Sequence, residues 1–212
     1  MRAQEVADAF HVPLVEVDLK AAHAATKDAV DLAMEKVGDN WAGGQLVATL
    51  RTPTLYYCTS VLTASGTSSI VVGTTNRDEG AYLGYVGKSS DGMVDLQPIS
   101  DLHKSEVRTV AKALGVPASV LDAAPTGDMF DGRDDSETIG ADYDFIELYI
   151  GTKGNPPTFK TPEAQSYWDH HAASLETMHK HNAHKYAVGS PAVHLDLMPT
   201  DVPGGWCRQH WA

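Results

Sequence analysis

The sequence has very little cysteine, no long apolar run and no block of positive charge, and each absence excludes a class of protein. Only Cys58 and Cys207 occur, which gives neither a disulfide framework nor a zinc ribbon and favours a reducing compartment. No apolar run approaches the roughly 18 residues that cross a bilayer, and residues 1–6 lack the basic stretch and apolar core of a secretory signal. We therefore expect an intracellular protein without a transmembrane segment, cytoplasmic by default, with an organelle as the alternative location.

Positive charge is scarce: 16 Lys and Arg stand against 28 Asp and Glu, which gives a formal net charge of −12 over 212 residues. A chain of this charge without a basic block is a poor partner for nucleic acid. Its 42% hydrophobic and 21% charged residues are ordinary for a globular domain with its own core. We expect a single domain over residues 1–212, with a sheet core over 1–122 and a polar loop, helices and a C-terminal arm over 123–212.

Helical and strand-like segments alternate along the chain without hairpin signals. This pattern favours an α/β fold, a parallel sheet flanked by helices in three layers, followed by an irregular C-terminal arm. Apolar periodicity predicts helices over 4–10, 21–37, 45–64, 103–114, 142–150 and 162–181. Short apolar runs predict strands at 14–19 and 69–72 and an extended piece at 93–99. Ser100 and Asp101 are typical of a cap for the helix over 103–114.

Two loops carry polar groups where an α/β sheet binds ligands, at the carboxyl ends of its strands. The first, over 73–79, has Gly and Thr for close approach to a nucleotide and a carboxylate suited to Mg²⁺. Its alternative interpretation is a turn whose Thr, Asn and Asp only cap a helix. The second, over 87–95, combines a lysine, two acids and two glycines, and either grips a charged ligand or is a solvated loop. A third polar loop, over 125–135, is either a lid or a linker.

Six histidines between residues 170 and 194 invite a metal interpretation, because His181 and His184 are spaced to share an ion on one helix face. No cysteine or acidic pattern completes a recognised metal site beside them. A solvated, His-rich helix face is the favoured interpretation of the set, which comprises His170, His171, His179, His181, His184 and His194.

Six blocks of sequence, taken in order, resemble the ammonia-dependent NAD synthetase family of ATP pyrophosphatases. They read VVGTTNRDE (71–79), GKSSDGMVDLQPI (87–99), SDLHKSEVR (100–108), APTGD (124–128), IGADYD (139–144) and NAHK (182–185). The blocks are spread over residues 71–185. Their number and order make the resemblance specific, whereas a single short block would mean nothing.

That family makes NAD from deamido-NAD, ammonia and ATP through an adenylated intermediate, with release of AMP and pyrophosphate. The resemblance implies an adenine nucleotide alpha-hydrolase-like, Rossmann-like fold, with ATP and Mg²⁺ as cofactors. It implies ATP contacts at Thr74, Lys104 and Thr126 and a Mg²⁺ ligand at Glu79. The deamido-NAD contacts it implies are Arg51, Lys88, Asp95, His184 and Lys185, with Asp91 as the catalytic candidate.

The chain departs from the family's pattern at two places. Arg51 keeps one arginine of a family pair, while Thr49 occupies the place of the other. Family members also begin with a strand and a Ser-Gly-Gly-x-Asp-Ser loop whose backbone N–H groups cradle pyrophosphate, and no segment of the 212 residues matches it. By this comparison the chain begins after that loop. We then expect it to be inactive alone and to have a sheet edge that needs a cover.

Three explanations of the second departure stay open: a fragment or alternative product of a longer synthetase, a chain completed by another polypeptide, and a former synthetase reused as a structural subunit. The lead hypothesis is a synthetase-like ligase domain that does not activate ATP alone. The alternative is a catalytically silent subunit of a larger assembly. The apolar helix over 45–64 is either core or, as in the family, part of a homodimer interface.

Overall fold

A computed structural model describes residues 1–126 and 134–185, and within those residues the regular structure is almost entirely helical. The α-helices, in chain order, are α1 (Arg2–Phe10), α2 (Lys20–Met34), α3 (Asn40–Ala64), α4 (Lys104–Leu114), α5 (Ala118–Leu121), α6 (Asp135–Ile139), α7 (Tyr143–Gly151) and α8 (Pro162–His181). A π-helix (Asp78–Leu83) lies between α3 and α4, and a 3₁₀-helix (Ala183–Lys185) follows α8.

The structure confirms the six helices predicted from periodicity, with shifted ends. The predicted cap at Ser100 and Asp101 is wrong, because α4 begins after His103. There the Glu106 carboxylate accepts a hydrogen bond from the backbone N–H of His103 at 2.8 Å, and a helix starts where its first N–H groups find acceptors. The π-helix, α5 and α6 escape prediction because one or two turns carry no readable periodicity.

The predicted parallel sheet is represented, in the part of the chain that the structure describes, by one parallel bridge between Val72 and Leu96. The backbone N–H of Gly73 donates to the carbonyl of Leu96 at 2.8 Å, and the N–H of Asp95 donates to the carbonyl of Val71 at 2.9 Å. The predicted strand 69–72 and extended piece 93–99 therefore lie side by side and parallel. The segment 14–19, predicted as a strand, pairs with no strand in the described ranges.

The other edge of segment 69–73 is open as far as residues 1–126 and 134–185 are concerned. The backbone groups of Ile70 and Val72 have no hydrogen-bond partner among them, and the two side chains are 58% and 50% exposed. In segment 14–19, Val15 is 80% exposed. Strand propensity is realised only when a neighbouring strand is present. Within residues 1–126 and 134–185, these apolar segments therefore do not join a wider sheet.

The main buried cluster joins the π-helix to α6, α7 and α8. Its members are at most 6% exposed and are Leu83, Ile139, Ala141, Phe145, Ile146, Tyr149, Trp168 and Leu175. Phe145 and Trp168 meet edge to face with 5.2 Å between ring centroids, a geometry that adds to the stabilisation from burial. Because Leu83 ends the π-helix inside this cluster, the core fixes the helix that carries Glu79. The division of the domain near residue 122 stays a prediction.

Helices α2 and α3 pack together and leave much of their apolar surface exposed. The ring atom Nε2 of His23 in α2 lies 3.1 Å from the carbonyl oxygen of Gly43 in α3. Away from that contact, Leu32 is 82% and Tyr57 is 71% exposed. Across the described ranges, no helix combines the length and apolar character needed to cross a membrane.

Ile146→Ala should lower the free energy of unfolding by about 2–5 kcal/mol, because its side chain is fully buried and its removal leaves a cavity. Leu148→Ala on the same helix is the matched control; this leucine is 49% exposed, and its loss should cost less than about 1 kcal/mol. Urea unfolding followed by circular dichroism measures both variants. Equal losses would contradict the assignment of the buried face of α7.

Candidate functional site

The loop after Val72 is held by the side-chain amide of Gln97, a residue that the sequence analysis does not single out. Gln97 Oε1 accepts a hydrogen bond from the backbone N–H of Thr75 at 3.3 Å, and Nε2 donates to the carbonyl of Asp91 at 3.0 Å. A Cβ atom at Gly73 would lie 2.4 Å from Gln97 Oε1. A side chain at Gly73 would therefore displace the Gln97 amide, and this one amide joins the two predicted ligand loops.

Three predicted site residues line one small cleft between α3 and these loops. Arg51, Thr74 and Asp91 border a cavity of about 60 Å³, and all three are exposed. The hydroxyl of Thr52 donates to the carbonyl of Ser89 at 2.8 Å, which fastens α3 to the second loop. A guanidinium, a hydroxyl and a carboxylate around one cleft suit a polar ligand with both donors and acceptors.

The capping interpretation of the first loop is correct for one of its residues. Asn76 Oδ1 accepts a hydrogen bond from the backbone N–H of Glu79 at 3.0 Å, at the start of the π-helix. Thr74 is exposed and does not cap this helix. The cap and the candidate ligand contact are therefore different residues of the same loop.

The predicted Mg²⁺ ligand and the predicted phosphate contact form an ion pair. Lys104 Nζ lies 2.9 Å from Glu79 Oε1, and the two side chains are only 25% and 17% exposed. The same oxygen accepts a hydrogen bond from the hydroxyl of Tyr143 at 2.6 Å. Lys104 Nζ also lies 4.8 Å from the centroid of the Tyr143 ring, within the range of a cation–π interaction.

Asp135, the first residue of α6, contacts the Tyr143 hydroxyl as well. Its Oδ2 lies 3.0 Å from the hydroxyl oxygen, and the residue is 6% exposed. Burial raises the pKa of this carboxyl, against the lowering effect of the Tyr143 hydrogen bond, and burial also raises the pKa of Tyr143 far above its ordinary value. A phenol has one hydrogen to donate. The two carboxylates therefore share this one donor, with the shorter contact to Glu79.

Sequence reasoning missed Tyr143 and Asp135 as site residues. Tyr143 lies inside the block 139–144 that carries the family resemblance, which was the one signal available for it. Asp135 lies in the third polar loop, whose composition marked it as a lid or linker without pointing to any one residue.

Three carboxylates cap the start of α4. The N–H groups of residues 103–105 donate, in that order, to Glu106, Asp78 and Glu147 at 2.8, 2.9 and 2.8 Å. The helix dipole favours negative charge at this end. A phosphate near α4 would therefore meet the side chain of Lys104, since the N–H groups of the helix end already have acceptors.

Among the described residues, Asp78, His103 and Glu147 are the group that could hold a metal ion, with ligand atoms within 4.8 Å of one another. Their atoms are occupied by hydrogen bonds: Asp78 Oδ1 lies 2.6 Å from His103 Nδ1, and Glu147 accepts from the backbone and the hydroxyl of Ser105. Burial raises the pKa of Asp78, opposed by hydrogen bonds from the Lys104 N–H and from His103. The arrangement caps a helix and orders the residue before Glu79.

Three donors from α8 and the turn after it cap the carboxyl end of the π-helix. His179 Nδ1 and Asn182 Nδ2 bond to the carbonyl oxygens of residues 82 and 83 at 2.7 and 2.8 Å. Lys185 Nζ donates to the carbonyls of residues 84 and 86, both at 2.9 Å. We call His179, Asn182 and Lys185 the carbonyl cap, because they satisfy groups that a helix end leaves free.

Lys185, a predicted deamido-NAD contact, is thus engaged with the backbone. Burial, and then the positive charge of Lys88, lower the pKa of Lys185. Lys88 therefore lies close enough to Lys185 for the two positive charges to repel each other. His184, the neighbour of Lys185 in the predicted pair, is exposed.

The prediction of a solvated histidine face is wrong for two of its members. His171 Nδ1 lies 2.5 Å from the carbonyl oxygen of Gly140, and His179 belongs to the carbonyl cap. Both rings are partly buried, because α8 packs this side against α6 and the π-helix. His170 and His181 are exposed as predicted, and His194 lies outside the described residues.

Two other predicted site residues lie in backbone pairings. Asp95 Oδ2 accepts from the N–H of Val71 at 2.8 Å, and its Oδ1 accepts from the hydroxyl of Tyr56 at 3.2 Å. Thr126 is exposed and forms an antiparallel bridge with Asp134. The ligand roles of Asp95 and Thr126 stay predictions.

Comparison with known proteins identifies relatives of this chain in sequence and in structure. A family model described as NAD synthase matches residues 1–189. The NH(3)-dependent NAD(+) synthetase of Methanococcoides burtonii is 40% identical over 107 residues, which are 50% of this chain and 38% of that protein. The one from Mesoplasma florum is 34% identical over 158 residues, 74% of this chain and 62% of that protein. The structure of NMN synthetase from Francisella tularensis matches with a TM-score of 0.68 and 25% identity, over 93% of this chain and 71% of that one.

The fold is one shared with solved NMN and NAD synthetases, consistent with the adenine nucleotide alpha-hydrolase-like class. The chain belongs to the NAD synthase family, which confirms the resemblance carried by the six sequence blocks. It spans 38% and 62% of the lengths of the two curated relatives described above.

Asp135→Asn should stabilise the protein increasingly as the pH rises from 4 to 7. Burial raises the folded-state pKa of Asp135 above its ordinary 3.8, so the stability linked to its proton is fully present below that ordinary value and is lost as the pH rises through the folded-state pKa. The neutral amide avoids this loss. Urea unfolding at pH 4, 5, 6 and 7 measures the difference, and a pH-independent difference would contradict a buried, raised carboxyl.

Lys185→Met should lower the free energy of unfolding by about 1–2 kcal/mol, because two hydrogen bonds from a charged donor are lost. His184→Ala, one residue away and exposed, should change it by less than about 0.5 kcal/mol. Thermal and urea unfolding of both variants test the carbonyl cap. A Lys185→Met protein as stable as the parent would show that these bonds contribute little.

Proposed function

We propose that this chain is the ligase domain of an ammonia-dependent NAD synthetase, and that it activates ATP only together with a pyrophosphate-binding loop. In the proposed reaction the nicotinate carboxylate of deamido-NAD attacks the α-phosphate of ATP and pyrophosphate leaves. Ammonia then attacks the acyl adenylate, AMP leaves and one proton is released. Membership of the NAD synthase family supports this assignment.

The observation that carries the proposal is the Glu79–Lys104 ion pair. The short chain segment 74–79 connects this pair to the cleft that Arg51, Thr74 and Asp91 line. The resemblance implies cation binding for Glu79 and ATP binding for Lys104, two roles that require adjacent groups. Their contact at 2.9 Å meets that requirement. Arg51 and Asp91, which the resemblance assigns to deamido-NAD and to catalysis, share the cleft with the ATP contact Thr74.

The chemistry of Glu79 fits magnesium. The ion takes oxygen ligands, keeps several waters and is usually held by one or two carboxylates together with substrate phosphates. When bound, it neutralises charge that develops on the phosphates as pyrophosphate leaves. In this chain Glu79 would hold the ion, Lys104 would face the polyphosphate, and Asp91 would accept the proton that the attacking nitrogen releases.

The proposed dependence on a loop follows from the chemistry of pyrophosphate release. None of the 212 residues forms a Ser-Gly-Gly-x-Asp-Ser segment. Loss of even one preorganised donor at a centre of developing charge typically lowers the rate by roughly 10²–10³. Lys104 alone, already paired with Glu79, does not replace a row of backbone N–H groups.

We also propose that α3 contributes to a homodimer interface. Leu55, Tyr57, Val61 and Leu62 on this helix are 46%, 71%, 48% and 46% exposed, which leaves an apolar surface that a second copy would bury. Sedimentation of the purified chain at several concentrations tests this arrangement.

A second candidate function is a catalytically silent subunit of a larger assembly. The edge of segment 69–73 favours it, because Ile70 and Val72 are exposed and their backbone groups have no partner among the described residues, so they present a template for a strand from another chain. Binding of nicotinate nucleotides separates the two candidates. A ligase domain keeps its substrate site, whereas a purely structural subunit has no need of one.

The purified chain should bind deamido-NAD in a calorimetric titration and should form AMP only when a pyrophosphate-binding segment is supplied. The assay combines ATP, Mg²⁺, ammonium and the chain, with and without a separately expressed N-terminal segment of a related synthetase that carries the loop. Parallel reactions use the nicotinate dinucleotide and the nicotinate mononucleotide, since one structural relative is an NMN synthetase. AMP and the amidated product are measured by chromatography.

Lys104→Met should lower AMP formation by the completed protein about 100-fold. Lys112→Met, on the same helix and exposed, is the matched control and should leave the rate unchanged. Absence of nucleotide binding and of AMP formation in every mixture would overturn the ligase assignment in favour of the structural subunit. Full turnover by the chain alone would overturn the requirement for the loop.

A further inference from the structure

Tyr143, at the start of α7, touches both members of the Glu79–Lys104 pair. Its hydroxyl donates to Glu79 Oε1 at 2.6 Å, and its ring lies 4.8 Å from Lys104 Nζ. A hydrogen bond to an ionised group and a cation over an aromatic face are both stronger where water is excluded. The pair is mostly buried, so Tyr143 acts on the two groups in such surroundings.

The protein holds Tyr143 itself in a fixed place. It begins α7, whose N-terminus is capped by Asp142, with Oδ1 accepting from the N–H of Phe145 at 2.7 Å. Two and three residues after Tyr143, Phe145 and Ile146 enter the main buried cluster. Asp135 approaches the hydroxyl at 3.0 Å. The ring is therefore anchored through its own helix, and its hydroxyl has a second, buried neighbour.

We propose that Tyr143 is a positioning residue of the candidate site, which orients the Glu79 carboxylate with its hydroxyl and keeps the Lys104 ammonium in place with its ring. The identity of the bound groups, a divalent cation and a polyphosphate, rests on the proposed function. The positioning itself rests on the two contacts and the anchored helix.

The need for such a residue follows from the ion pair. A cation that binds Glu79 competes with the Lys104 ammonium for the same carboxylate, and a phosphate that binds Lys104 competes with Glu79. When either ligand loosens the pair, a side chain without another contact would regain its rotamer freedom. Tyr143 supplies that other contact for each partner. Both side chains therefore keep their orientation when each leaves its ion-pair partner to bind a ligand.

Two substitutions separate the two contacts. Tyr143→Phe keeps the ring and removes the hydroxyl, and it should weaken binding of Mn²⁺, used as a probe for the divalent cation, about tenfold, with ATP affinity nearly unchanged. Tyr143→Leu also removes the ring. In addition to the loss of Mn²⁺ affinity, it should weaken ATP binding about threefold relative to the parent. Electron paramagnetic resonance of free Mn²⁺ and calorimetric titration with ATP measure the two affinities on the full chain.

Tyr149→Phe is the matched control, because Tyr149 lies on the same helix and its hydroxyl donates to a different glutamate, Glu176, at 3.2 Å. It should leave Mn²⁺ and ATP affinities within twofold of the parent. The proposal is overturned if Tyr143→Phe binds Mn²⁺ as the parent and the control do. The proposal would also be overturned if Tyr143→Phe and Tyr149→Phe show the same drop in melting temperature and the same Mn²⁺ affinity as each other.

A nuclear magnetic resonance measurement separates this proposal from the proposed function. Protons on Lys104 Cε, next to an aromatic face, should resonate upfield of other lysines in the parent and in Tyr143→Phe, and at the ordinary position in Tyr143→Leu. Lys104→Arg assigns the signal. If the parent binds neither Mn²⁺ nor ATP while the upfield signal is present, the proposed function fails and the positioning of Lys104 stands. If the parent shows no upfield signal, the positioning proposal itself is wrong.

Discussion

The contact between the start of the π-helix and the start of α4 is the constraint on which the candidate site depends. Asp78 accepts a hydrogen bond from the backbone of Lys104, and Glu79 pairs with the side chain of the same lysine. Asp78 thus fixes the backbone position of Lys104, and the neighbouring Glu79 fixes the orientation of its side chain. Asp78 is fully buried, and a buried carboxylate is tolerated only when donors surround it, so this contact admits little variation in geometry.

The other end of the π-helix is fixed by different means. Leu83 lies in the aromatic cluster and the carbonyl cap bonds to the turn that follows. A short π-helix is a poor element by itself, because its hydrogen bonds are strained relative to those of an α-helix. Held at both ends by tertiary contacts, it presents Glu79 from a rigid piece of backbone. The core, the cap and the ion pair are therefore three parts of one support.

The long helices and the principal ion-pair residues could be predicted from sequence, and the reasons lie in the range of the signals. A helix such as α8 carries its own period, and Glu79 and Lys104 lie inside motifs. Tyr143 and Glu79 are 64 positions apart in the sequence, and no pattern near either residue indicates that they are in contact. Lys185 shows a different limit of sequence motifs. Its motif predicts a ligand contact, whereas in the structure its ammonium donates to two backbone carbonyls, which no motif indicates. Segment 14–19 has strand composition, but pairing is decided by a neighbour elsewhere in the chain.

The three carboxylates at the start of α4, together with Glu79, surround Lys104 with more negative than positive charge. A bare polyanion approaching this lysine would be repelled by its surroundings. The same polyanion neutralised by a divalent ion would be repelled less. Under the proposed function, the charge around Lys104 would favour a nucleotide that arrives with its metal over one that arrives without it.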